Sequence, residues 1–240
     1  MNKLKTLKII ILSLIVFIVG CLAVIFIAFM KKDVRQRTDK FTRWWSEKML
    51  HIVRVNYQIF NPHQVKFLPN RSYVVMSNHA SHYDIPLSFV AFSEGSIRMI
   101  AKKELFRVPL WGMALRAAEF ISIDRKDRRQ AVKDLQFARE KMRSGIIPWI
   151  APEGTRTRTG EIQPFKKGGF VLAIQTEAVI IPMGIRGSGK ILPPDTWDFH
   201  TKQKVEMHIG EPVDPKDYAN AQELMTAVEN KIKNLVNNPL

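Results

Sequence analysis

The stretch that decides the fold is Tyr73-Val74-Val75-Met76-Ser77-Asn78-His79-Ala80-Ser81-His82-Tyr83-Asp84. Tyr73–Met76 is apolar and partly β-branched and reads as a buried strand, and Ile85-Pro86-Leu87 opens a helical pattern. His79 therefore falls where a strand hands over to a helix, at the edge where open α/β sheets bind ligands. Asp84, five positions on, is placed to fold its carboxylate back onto the imidazole. That would fix the tautomer and free the other ring nitrogen to take a proton. Ser81 and Asp84 also have capping-box spacing, which predicts a helix starting at Ser81. On spacing alone two readings stay open: a His79–Asp84 catalytic pair, or a first-turn helix acid beside a loop histidine. His82 forms a His-x-x-His pair with His79, but nothing elsewhere completes a metal set, so no metal is expected. Because His82 lies only two residues from Asp84, His79 is the preferred base.

Working outward, further strand-like runs stand at Ile97–Ala101, Phe120–Ile123, Ile146–Ala151, Val179–Ile185 and Val205–Ile209. Helical patterns cover Pro86–Ser93, Leu105–Ala118, Arg128–Ser144, Gly169–Thr176 and Ala221–Asn237. This alternation predicts an α/β domain over residues 65–240, with a mostly parallel central sheet flanked by helices.

The N-terminal part has a different composition. The twenty-two residues from Ile9 to Met30 carry no charge. As a helix they extend about 33 Å, enough for a hydrocarbon core of about 30 Å. The run is longer than a signal-peptide core and no small-x-small cleavage site precedes Lys31-Lys32, so residues 1–30 are read as a membrane anchor. Residues 31–64 are read as a basic amphipathic helix and linker. Phe41, Trp44, Trp45, Met49, Ile52 and Val53 fall on one side, and Arg43, Ser46, Glu47 and Arg54 opposite. An interfacial helix touching anionic lipid and a helix packed on the domain both fit that pattern. Six basic residues soon after the anchor, against three before it, put the remainder on the cytoplasmic face.

The chain has 37 Lys and Arg against 22 Asp and Glu, a net charge of +15. That balance favours an anionic partner, and the hydrophobic N-terminus argues for lipid rather than nucleic acid. The single cysteine, Cys21, excludes an intramolecular disulfide. Gly184 to Lys190 has P-loop spacing, but Ile191 replaces the Ser or Thr that would hold magnesium, so nucleotide hydrolysis is excluded.

Other polar stations follow strands. Ala101-Lys102-Lys103-Glu104-Leu105 is a phosphate site or an exposed turn. Ile123-Asp124-Arg125 is an ion pair or an anion site. Pro152-Glu153-Gly154-Thr155-Arg156 offers a glycine for close approach and a guanidinium fork suited to phosphate, or a structural ion pair. Phe165-Lys166-Lys167-Gly168-Gly169 then leads into a helix.

Taken together these blocks resemble those of the glycerolipid acyltransferases, and within them the 1-acylglycerol-3-phosphate (lysophosphatidic acid) acyltransferases. Asn78-His79 through Asp84 matches the His-x-x-x-x-Asp motif, Phe120 through Arg125 the block ending Ile-Asp-Arg, Pro152–Arg156 the Phe-Pro-Glu-Gly-Thr-Arg block, and Ile180–Met183 the Val-Pro-Val-like block. Ala151 replaces the usual Phe, and Glu119 stands where Gly is common, with expected effects on loop packing and on the acceptor pocket. The resemblance implies acyl transfer from an acyl-CoA or acyl carrier protein thioester to the free sn-2 hydroxyl of lysophosphatidic acid, giving phosphatidic acid, with no cofactor beyond the thioester co-substrate. It makes His79 and Asp84 the catalytic pair and Lys103, Arg125, Glu153, Gly154, Thr155 and Arg156 the substrate-binding set. Another lysophospholipid or a lyso-aminolipid is the rival acceptor. The lack of large insertions points to a bacterial inner membrane.

Overall fold

Alternation along one central strand explains the layering. All five residues of β2 (Tyr73–Ser77) are buried. Tyr73 and Val75 enter one core, and Val74 and Met76 enter the other. A strand buried on both faces must be covered twice, which is why its run is continuously apolar.

The computed structural model describes residues 3–92, 94–124 and 127–238. Its sheet has seven strands: β1 (Asn56–Phe60), β2, β3 (Ser96–Lys102), β4 (Ile121–Ile123), β5 (Ile146–Ile150), β6 (Val179–Arg186) and β7 (Lys204–Ile209). Their order is β1-β7-β6-β2-β5-β3-β4, and every pairing is parallel except β6 with β7. The helices are α1 (Lys3–Phe29), α2 (Val34–Ile52), α3 (Asp84–Ala91), α4 (Trp111–Ala117), α5 (Arg128–Arg143), α6 (Gly168–Thr176) and α7 (Ala221–Asn237). One core takes Leu50 from α2 with Leu87 and Phe89 from α3, and the other takes Ala138, Phe170, Leu172, Val228 and Ile232 from α5, α6 and α7.

Four features depart from the sequence reading. First, Asn56–Phe60, inside the stretch read as helix and linker, is an edge strand on β7. Its side chains are exposed or only half-buried, and they give it no apolar run to recognise. Second, the helix expected over Leu105–Ala118 is broken. A 3-10 turn at Lys103–Arg107 precedes α4, because Pro109 has no N–H to give and Leu110 sits at φ 61°. Third, α3 begins at Asp84 rather than Ser81. The Asp84 carboxylate accepts from the Ala80 and Ser81 amides and holds those residues out of the helix.

Fourth, the buried face of α2 is Thr38, Thr42, Ser46 and Leu50, whereas Trp44 is exposed. Ser46, expected on the polar side, is fully buried. Thr42 and Ser46 return their hydroxyls to carbonyls four residues back, at 2.8 Å each. These small residues let α2 approach α3 closely; Thr42 and Ser46 meet their own donors in this way, whereas the buried Thr38 hydroxyl has no partner among the described residues.

Helix α1 is long and apolar enough to cross a membrane. It nevertheless packs on the domain from Ile9 to Val24. Phe17 meets Trp111 of α4 edge-on at 5.3 Å, and Gly20 lies so close to Trp45 that a Cβ would stand 2.9 Å from that ring. Its opposite face exposes Leu4, Ile11, Ile15, Leu22 and Phe26.

Arg98 fastens α2 to the sheet. The side chain is 1% exposed; it donates to Asp39 Oδ1 (2.6 Å), to the Ile97 carbonyl (2.8 Å) and to the Ala118 carbonyl. Ser96 Oγ donates to the other Asp39 oxygen at 2.6 Å. Breaking a buried pair costs about 3–5 kcal/mol. Arg98→Ala is therefore expected to lower unfolding stability by that amount in detergent. The double variant Arg98→Met with Asp39→Leu should recover most of it, and wild-type stability in the single variant would refute the clamp.

Glu119 is held by Arg35 (2.7 Å) and Lys141 (3.1 Å), which tie α2 to α5. It sits at φ 61°, the backbone region that explains why glycine is common at this place in the family block. Its charge faces this ion-pair network, which gives the glutamate a structural role at this place. The Arg35 guanidinium holds its carboxyl at about 2. A depressed carboxyl contributes stability above its unfolded value near 4.5, and that contribution is lost as pH falls through about 2. The melting-temperature gap between wild type and Glu119→Gln should therefore be largest above pH 5 and close as pH falls toward 2.

Candidate active site

The polar blocks converge because their strands are neighbours. Strands β2, β5, β3 and β4 lie side by side and run parallel, so the residues after each come out at the same sheet edge. His79 follows β2, Glu153–Arg156 follow β5, Lys103 follows β3 and Asp124 follows β4.

At the centre, His79 Nδ1 lies 2.8 Å from Asp84 Oδ2. The same oxygen accepts from Ala80 N (2.7 Å) and Ser81 N (2.8 Å), and Asp84 is fully buried. Three polar contacts on one buried oxygen fix the position of the carboxylate. The imidazole is thus oriented through Nδ1, and Nε2 has no hydrogen-bond partner among the described residues. Trp149 on β5 meets the ring edge-on at 5.6 Å. His82 is exposed and makes no hydrogen bond to Asp84. Among the described residues no three His, Cys, Asp or Glu side chains are grouped to hold a metal.

Glu153 has a different task from the substrate contact read in the sequence. It is 2% exposed, and its two oxygens accept from the backbone amides of His79 and Gln163, at 2.8 Å each. Burial pushes its carboxyl up, against the pull of those amides. Glu153 is therefore a brace that fixes the height of His79. Thr157 N adds a second tie, donating to the His79 carbonyl at 2.9 Å. Gly154 turns at φ 76°, and its amide donates to Ala151 O at 2.9 Å, so it does not point into the site as an oxyanion donor. Thr155 is exposed in the loop.

Arg156 projects from this loop with its side chain 22% exposed, and its nearest carboxylate, on Asp195, is 3.8 Å away. Lys103 is held by Asp124 at 3.4 Å and lines a separate polar cavity with Glu104, Arg107 and Asp127. No hydrogen bond or ion pair joins Lys103 to Arg156. Arg125 lies outside the described residues. An apolar cavity of about 170 Å³ lies among α1, α2, α3, α4 and the sheet, lined by Phe17, Cys21, Trp45, Phe89, Met99 and Phe120 among others.

A family model described as Acyltransferase matches residues 59–186. The chain belongs to the acyltransferase family. Among curated relatives, this acyltransferase is 33% identical over 141 residues to the chloroplastic 1-acyl-sn-glycerol-3-phosphate acyltransferase BAT2 of Brassica napus, covering 58% of this chain and 40% of the relative. It is 36% identical over 146 residues to the human 1-acyl-sn-glycerol-3-phosphate acyltransferase alpha, covering 60% and 48%. The match thus spans less than half the length of these relatives. The crystal structure of PlsC, the 1-acyl-sn-glycerophosphate (LPA) acyltransferase of Thermotoga maritima, superposes with a TM-score of 0.81 at 28% identity, covering 97% of this chain and 93% of that one.

Two residues of this acyltransferase had no individual role in the sequence reading. Asn78 pairs with both backbone groups of Ile185, at 2.8 Å each, and locks the His79 loop to β6. A polar side chain ending a wholly buried strand was the available signal. Trp149 read only as one apolar residue of β5, and nothing in the spacing marks it.

Proposed function

We propose that this acyltransferase moves a fatty acyl group from a thioester donor, acyl-CoA or acyl carrier protein, to the sn-2 hydroxyl of lysophosphatidic acid, giving phosphatidic acid. The observation that carries the reading is the His79–Asp84 pair, oriented at 2.8 Å with Nε2 unengaged, next in the chain to Ile85, which lines an apolar cavity walled by the N-terminal helices.

An alcohol is a weak nucleophile at neutral pH. His79 Nε2 takes its proton as the oxygen attacks the thioester carbonyl, and the carbon–sulfur bond then breaks. The thiolate leaves with the proton returned from His79, so atoms and charge balance without an acyl-enzyme. Asp84 holds the ring and offsets the imidazolium that forms. No cofactor enters this scheme. Arg156, with Lys103 from the neighbouring strand, is assigned to the acceptor phosphate.

Both acceptor and product live in a bilayer, so the site must meet its surface. We place α1 lengthwise in one leaflet, because its inner face is bound to α2 and α4 while its outer face is apolar. Anionic lipid would meet the basic residues around the hairpin, on the cytoplasmic face of a bacterial inner membrane.

The test is transfer of radiolabelled palmitate to a panel of lysolipids by the detergent-solubilised protein, with acyl-CoA or acyl carrier protein as donor. Phosphatidic acid is the expected product, and preferred acylation of a phosphate-free acceptor would overturn the assignment. A hydrogen bond to a charged partner is worth about 1.5–3 kcal/mol. Arg156→Ala should accordingly raise the KM for lysophosphatidic acid by about ten- to a hundredfold, and an unchanged KM would remove Arg156 from the phosphate site.

A further inference from the structure

A cavity of about 740 Å³ opens beside the His79 loop and is lined by no residue of α1 or α2. It begins at Asn78 and Ala80, the residues on either side of His79, and runs between the loop after β5 and the loop after β6. Its cationic lining is Arg158, Arg186, Lys190 and His200, with no carboxylate among the lining residues. Arg158 and Arg186 are also paired outward to Asp195 (2.6 Å) and Glu206 (3.1 Å), and His200 to Asp198 (2.9 Å). Lys190 has no carboxylate partner among the described residues. Ser188 is 1% exposed, and its hydroxyl, in the cavity wall, has no hydrogen-bond partner.

The same wall is the Gly187-Ser188-Gly189-Lys190 segment, whose P-loop-like spacing the nucleotide test rejected. Gly187 turns at φ 83°, with Lys204 O only 2.4 Å from where a Cβ would stand. Gly189 packs on Ala80, 3.3 Å from its own absent Cβ. The two glycines thus bring Ser188 and Lys190 against the His79 loop. A buried donor without a partner, a lysine without a counter-ion and a volume within the range of small-molecule sites together call for a polar, anionic ligand.

We propose that this cavity seats the phosphate-bearing pantetheine arm of the thioester donor, with Lys190, Arg158 and Ser188 on its phosphate and the thioester delivered past Ala80 to His79. The proposal rests on the acyl-transfer reading above. The side of the molecule argues for donor over acceptor. A lipid acceptor arrives from the α1–α2 side, where the apolar cavity opens, whereas the donor's head is water-soluble and this cavity is lined by no residue of α1 or α2.

The test compares wild type with the double variant Arg158→Ala, Lys190→Ala as full-length protein in detergent. Both side chains are exposed, so the fold should survive. Titration calorimetry with free coenzyme A and with pantetheine reads binding without turnover. Steady-state kinetics then use palmitoyl-CoA, palmitoyl-acyl carrier protein and S-palmitoyl pantetheine, which lacks the phosphate. The expected result is that the advantage of a phosphate-bearing donor over the pantetheine thioester falls at least tenfold, in Kd or KM, with the KM for lysophosphatidic acid unmoved. The donor that shows the loss, coenzyme A or carrier protein, identifies the source of the arm. A loss confined to the KM for lysophosphatidic acid would hand the cavity to the acceptor, and no loss for either phosphate-bearing donor would overturn the proposal. A wild type that binds coenzyme A through these residues yet makes no phosphatidic acid would instead sink the functional reading.

Discussion

Replacing His79 by alanine is expected to reduce kcat for acyl transfer by about 10²–10⁴, the usual contribution of a positioned general base. The variant should still fold. His79 is held by its backbone, through Glu153 Oε1 at 2.8 Å and Thr157 N at 2.9 Å, and neither contact uses the imidazole. Its KM for lysophosphatidic acid should change little, because the phosphate is assigned to Arg156. The measurement is initial rate of phosphatidic acid formation against both substrates, with the melting temperature recorded alongside. A variant that keeps more than a tenth of the wild-type kcat would remove His79 from the chemistry.

Asp84 carries the second large effect, and its two substitutions separate orientation from stability. Asparagine can keep an oxygen toward the Ala80 and Ser81 amides, so Asp84→Asn should fold. It cannot supply the charge that offsets the imidazolium, and it leaves an amide group where Oδ1 now lies buried without a partner. Its kcat should fall by about 10²–10⁴ with little change in KM, because the imidazolium formed during attack loses the charge that offsets it. Alanine leaves two buried amides unmet as well, at about 1–3 kcal/mol each. Asp84→Ala should therefore lose activity and also unfold at clearly lower temperature or denaturant. Equal melting temperatures for the two variants would contradict the three-donor geometry at Oδ2.

Much of this architecture was legible in the sequence, for physical reasons. Strands buried on both faces must be continuously apolar, so β2, β5 and β6 announced themselves. The contact between His79 and Asp84 was legible because a loop of that length is enough to return a carboxylate to an imidazole, although spacing alone left its use open. What escaped were features set by tertiary contact. β1 has no apolar run, since it is an edge strand with exposed side chains. The buried face of α2 is made of Thr38, Thr42 and Ser46, and small polar residues give no hydrophobic period however tightly they pack. Glu153 was assigned to the substrate through the family resemblance, whereas its two oxygens accept from the backbone amides of His79 and Gln163, contacts that spacing does not reveal. The cavity beside Gly187–Lys190 could not be read from spacing, which discarded that segment once Ile191 ruled out magnesium.

The central claim is direct transfer, from thioester to lysophosphatidic acid, with His79 as base and no acyl-enzyme. Its most direct test mixes the detergent-solubilised protein with radiolabelled palmitoyl-CoA or palmitoyl-acyl carrier protein, quenches samples before and after lysophosphatidic acid is added, and follows the label. The account predicts no label on the protein at any time and labelled phosphatidic acid only after the acceptor arrives. Label bound covalently to the protein before the acceptor, or no phosphatidic acid with either donor, would contradict it.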